Sequence, residues 1–99
     1  MKLITEKNGT DLTVILSGEI NTVTAPELSG LLDRELGSVQ NLILDFSDCD
    51  YVSSAGLRVL LAAYKKLRAS NGTMLLTNVG DNFMDVLHNT QLDNVFDIR

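Results

Sequence analysis

Apolar residues recur along the chain with two different periods, and the changes of period mark out the elements. Leu3 to Lys7 and Leu12 to Ser17 are two β-compatible runs on either side of Asn8-Gly9-Thr10. That turn signal predicts an amino-terminal hairpin. Gly18-Glu19-Ile20-Asn21 leaves the second run as a loop, and Thr24-Ala25-Pro26-Glu27 reads as a capping box, with Thr24 as N-cap and proline where a first turn tolerates it. Leu28, Leu31, Leu32 and Leu36 follow at helical spacing up to Gly37. From Asn41 to Phe46 the pattern changes again, because Leu42, Ile43 and Leu44 are continuously apolar. This is the expected mark of the most buried strand.

Between Ser54 and Ala69 the apolar positions Leu57, Leu60, Leu61, Tyr64 and Leu67 step by three and four, which predicts the longest helix, stopped by Asn71-Gly72. Thr73 to Thr77 is the next strand. A shorter helix starts at Asp81 or Asn82 and carries Phe83, Val86 and Leu87, and Asn94 to Ile98 is expected to add an edge strand. After the hairpin, helices alternate with strands, so βαβ crossovers build a mostly parallel sheet. The fold class expected is α/β: a two-layer domain with a mixed, mostly parallel four- to five-stranded sheet, an amino-terminal hairpin, about three helices and at least one face covered. No repeat or low-complexity tract interrupts residues 1–99, which are expected to form one domain.

Charge narrows the functions. The net charge of -5 argues against nucleic acid and against anionic membrane surfaces. Neither a membrane span nor a signal-peptide core is evident, so a cytoplasmic location is expected. Arg58, Lys65, Lys66 and Arg68 nevertheless gather on the long helix, as a solvated face or as a docking surface for an acidic partner. The single cysteine, Cys49, permits neither an internal disulfide nor a cysteine zinc site. Its neighbours Asp48 and Asp50 would raise a thiol pKa, so a small buried side chain is expected.

Enzyme chemistry finds little to work with. The lone histidine, His88, lies far along the chain from the serines, and no G-x-S-x-G motif or glycine-rich phosphate loop occurs. Asp45, Asp48 and Asp50 converge in sequence after the buried strand. They would solvate a tight turn or, less simply, supply oxygen ligands to a hard cation. Ser53 and Ser54 then open the long helix, followed by the small Ala55 and Gly56. One hydroxyl is enough to cap a helix. The second is free to be shown to another protein, and backbone dipoles at that position also tolerate a phosphate dianion.

The chain resembles the STAS domain family, and in particular the bacterial anti-sigma factor antagonists, over nearly its whole length. The resemblance rests on Gly18-Glu19-Ile20-Asn21 and on Leu44-Asp45-Phe46-Ser47 through Tyr51-Val52-Ser53-Ser54-Ala55-Gly56-Leu57. It implies a non-enzymatic switch with no cofactor of its own. The unphosphorylated form binds an anti-sigma factor that is also a serine kinase and so frees a sigma factor; phosphorylation reverses this, and a serine phosphatase resets it. Ser54 matches the phosphoacceptor. Asn21, Thr22, Ser53, Ser54, Ala55, Gly56, Leu57 and Arg58 are the implied partner-binding residues, and a free monomer is implied too. Ser53 and Asn21 stand where many members carry aspartate, and Arg58 where well-known members carry glycine. A STAS module can also serve as an unphosphorylated scaffold, or as a subunit of a lipid-transport or stress-sensing assembly.

Overall fold

The computed structural model describes Met1–Arg99. Strands β1 (Lys2–Asn8), β2 (Asp11–Ser17), β3 (Asn41–Asp48), β4 (Thr73–Thr77) and β5 (Asp97–Ile98) lie side by side in chain order. Only β1 and β2 are antiparallel; every later pairing is parallel. Helices α1 (Ala25–Glu35), α2 (Ser54–Ala69) and α3 (Asp81–Asn89) fill the crossovers. Because each crossover steps one strand in the same direction with the same hand, all three helices land on one face.

Their apolar stripes meet Leu12, Val14 and Leu16 of β2, Leu42, Leu44 and Phe46 of β3, and Met74 and Leu76 of β4, all buried. Phe46 and Phe83 of α3 pack with ring centroids 4.9 Å apart. The other face carries no helix. Ile43 points there and is only half-buried, so the apolar run of β3 marks the centre of the sheet without marking burial on both sides.

Two local expectations give way to a different hydrogen-bond assignment. The Thr24 side chain makes no cap bond to α1. Its hydroxyl is occupied by the Asn21 N–H at 2.8 Å and the Glu19 carbonyl at 2.7 Å. Asn21 Oδ1 instead accepts from the N–H groups of Val23 and Thr24, and the Asn21 carbonyl accepts from Ala25. Asn21 therefore caps the turn that leads into α1.

The expected strand from Asn94 to Ile98 shrinks to Asp97–Ile98, preceded by a 3-10 turn at Leu92–Asn94. The Leu92 carbonyl accepts from both Val95 and Phe96. This turn drives Phe96 into the core, edge-on to Tyr64 at 5.8 Å.

Candidate functional site

The carboxyl ends of β2 and β3 meet the start of α2, and the two loops there are tied by backbone bonds. Gly18 N–H donates to the Asp48 carbonyl at 3.0 Å, Ile20 N–H to Tyr51 at 2.9 Å, and Ser53 N–H to Ile20 at 2.8 Å. Ile20 and Val52 form a parallel bridge, and both are buried. Gly56 seats α2 directly on this bridge. A Cβ there would lie 2.6 Å from Ile20 Cγ2 and 2.7 Å from Val52 Cγ1, so only glycine permits the approach.

The paired serines divide two roles. Ser53 is the N-cap, with extended backbone and its Oγ accepting from Gly56 N–H at 3.4 Å. Ser54 is the first helical residue, exposed, with its hydroxyl engaged by no protein group. The free N–H groups and dipole of the first turn thus lie beside a hydroxyl open to solvent.

Of the other residues expected at a partner surface, Thr22 and Arg58 are exposed, and Asn21, Ser53 and Ala55 are half-buried. Gly56 and Leu57 are not available. Gly56 is sealed against Ile20 and Val52, and Leu57, at 8% exposure, belongs to the core because helical spacing turns it with Leu60 toward the sheet. Two surface residues escaped the sequence reading. Val23, 80% exposed in the loop that Asn21 holds, and Tyr51, 50% exposed beside the strand bridge, are large apolar groups at the same end of the sheet as Ser54. An apolar residue that fits no helical or strand period inside a polar turn was the signal available.

The aspartates do not converge as their spacing suggests. Asp45 Oδ1 accepts from Ser47 N–H at 2.9 Å and from Asn78 Nδ2 at 3.0 Å, while Asp50 Oδ2 accepts from Asn82 Nδ2 at 3.0 Å. They fasten the end of β3 to the loop before α3 and to α3 itself, and no three acidic, histidine or cysteine residues gather as a metal set.

The bond from Asn78, then that from Ser47, holds the Asp45 carboxyl below its ordinary value of 3.8. A lowered folded-state pKa contributes stability above that value which is lost as pH falls through it. Wild-type protein is therefore expected to lose more stability than Asp45→Asn between about pH 5 and pH 3. Denaturant midpoints at the two pH values check this. Burial, with Asp50 and Glu19 adding to it, pushes the Cys49 thiol up, which leaves it an unreactive core group.

The basic residues of α2 are only partly free. Lys66 pairs with Asp33 of α1 at 2.9 Å, and Arg68 bonds the Tyr64 hydroxyl and lies 5.6 Å from that ring's centre. Arg58 and Lys65 have no ion-pair partner. His88, on the last turn of α3, pairs with Asp93 at 3.0 Å, so the only imidazole is engaged away from the serines. No helix is long and apolar enough to cross a membrane.

A serine displayed at a helix start beside two tied loops, on a mixed sheet covered on one face, defines a class that the comparisons identify. The STAS domain family model matches residues 2–99, and the chain belongs to that family.

It is similar to BtrV of Bordetella bronchiseptica, whose name assigns it to the anti-sigma factor antagonists: 30% identity, over 99% of this chain and 85% of that one. It is also similar to the anti-sigma-B factor antagonist of Bacillus subtilis, at 27% identity over 94% of this chain and 85% of the other. An anti-sigma factor antagonist structure from Mycobacterium paratuberculosis superposes with a TM-score of 0.86 at 31% identity, covering 98% of this chain and 83% of that one. Unphosphorylated SpoIIAA, at 18% identity and a TM-score of 0.75 over 95% and 97% of the two chains, shares the fold.

Proposed function

We propose that this protein is an anti-sigma factor antagonist whose unphosphorylated form binds an anti-sigma factor serine kinase and releases a sigma factor. Phosphorylation of Ser54 ends the interaction and a serine phosphatase restores it. The observation that carries this reading is the separation of the two serines. Ser53 serves the fold as the cap, which leaves the exposed Ser54 hydroxyl with no structural duty. A phosphate at the first helical position sits against the helix dipole and is tolerated by the domain itself. The same dianion inside a flush protein interface is not tolerated, because it adds repulsion and desolvation.

Val23, Tyr51 and Thr22, exposed in the loops at this end of the sheet, and Arg58, exposed on the second turn of α2, offer the partner both apolar anchors and a cation. The chain then acts as substrate and ligand in the cytoplasm, with ATP and its magnesium brought by the kinase. Incubation with histidine-kinase-like partners and ATP, read by intact mass and peptide mapping, tests this. One added phosphate, on Ser54, is expected. A stable complex that never yields phosphate would replace the switch with a scaffold role, and turnover of a substrate by this chain alone would replace it with an enzyme.

A further inference from the structure

The outer edge of β1 is unpaired along its whole length. All seven residues of β1 pair with β2, and no other backbone hydrogen bond reaches them. The hairpin loop is the two residues Gly9 and Thr10, with Gly9 at φ +63. In such a loop the flanking pair, Asn8 and Asp11, exchanges both of its bonds. Alternation then turns the backbone groups of Asn8, Glu6, Ile4 and Lys2 toward β2, and those of Lys7, Thr5 and Leu3 outward into solvent. The opposite edge, β5, has only two residues and offers no comparable ladder.

We propose that β1 pairs antiparallel with β1 of a second copy of this chain, about a twofold axis at Ile4. Side-chain chemistry selects that register. Ile4, 41% exposed on the helix-free face, meets Ile4 of the partner copy, and Lys2 meets Glu6 of the partner copy twice over. Both are non-hydrogen-bonded positions, where opposed side chains lie closest. Leu3 and Thr5 of the partner copy exchange the ladder bonds. The other registers that match outward backbone groups fail on their pairs. Centring on Thr5 sets Ile4 against Glu6, centring on Leu3 sets Ile4 against Lys2, and centring on Glu6 sets that carboxylate against itself. Centring between residues faces outward groups with inward ones and forms no ladder. The pairing is isologous and closes at two copies, which fits an edge available on one side only. It replaces the free monomer implied by the family resemblance, and none of the loop residues around Ser54 takes part.

Oxidation of single-cysteine variants reads the register directly. Opposed Cα atoms at a non-hydrogen-bonded pair are about 4.5 Å apart, within disulfide reach. Ile4→Cys is expected to cross-link about tenfold faster than Lys2→Cys or Glu6→Cys, since pre-association raises the effective concentration of the opposed thiols only there. Buried Cys49 does not compete.

In sedimentation, wild-type protein is expected to move toward twice the monomer mass as concentration rises. Thr5→Pro removes an N–H that β2 does not use, so its fold, checked by circular dichroism, persists while the dimer is lost. Lys2→Glu and Glu6→Lys each weaken the dimer, and the double exchange restores it. A single monomer mass at every concentration, equal cross-linking of the three cysteine variants, or a dimer that survives Thr5→Pro would each overturn the proposal.

Discussion

Ser54→Asp folds as the parent does but loses the kinase, whereas Ser54→Ala keeps both. Removing the Ser54 hydroxyl deletes no bond, because Ser53 supplies the cap, so Ser54→Ala is expected within about 0.5 kcal/mol of wild type. A carboxylate at the first helical position lies favourably in the helix dipole, worth about 0.3–1 kcal/mol. Thermal midpoints should therefore be equal or slightly raised. Binding behaves oppositely. A charge left unpaired in a dry interface costs about 2–5 kcal/mol, roughly thirty- to several-thousand-fold in Kd. Aspartate falls at the lower end, and the phosphate, with its extra charge, beyond it. Titration calorimetry of both variants against the kinase measures this. Equal dissociation constants would leave no charge gate at Ser54.

Where sequence periodicity is long and its breakers are strong, the elements were legible to the residue. Ser54 to Ala69 and Thr73 to Thr77 match α2 and β4, because Asn71-Gly72 can only be a break. The parallel pairing after the hairpin also followed from alternating helices and strands, whereas the order of the strands and the bridge that ties the β2 and β3 loops came only from the structure. What failed was the choice among equivalent polar groups. Asn21 and Thr24 are both good caps three residues apart, and composition cannot say which oxygen reaches which N–H. The same ambiguity covered Ser53 and Ser54, which the cap bond to Gly56 resolves.

Phe96 shortened β5 for a different reason. Burial of a large ring against Tyr64 outweighed the β propensity of the residues around it. Most of the candidate site was visible as a motif, but a motif lists neighbours in sequence without saying which side each one faces. Gly56 and Leu57 belong to the fold, while Tyr51, at the start of the serine motif, and Val23, outside it, reach the surface.

Leu57 and Arg58 are adjacent and should fail in opposite ways. Leu57→Ala empties a core position and is expected to cost about 2–5 kcal/mol of folding stability. Each kcal/mol lowers the thermal midpoint of a domain this size by roughly 4–8 °C. The fraction still folded should bind the kinase nearly as wild type does, since the lost side chain never met it. Arg58→Ala removes an exposed, unpaired cation and is expected within about 0.5 kcal/mol of wild-type stability.

Its effect belongs to recognition. Four residues after Ser54, Arg58 shares that residue's helical face and can meet either an acidic partner surface or the phosphate on Ser54. In the first case Arg58→Ala weakens binding of the unphosphorylated form; in the second it lowers the midpoint of the phosphorylated form alone. If binding and both midpoints stay at wild-type values, Arg58 has no part in the switch. If instead Leu57→Ala melts normally and loses the kinase, the first turn of α2 faces the partner and not the sheet.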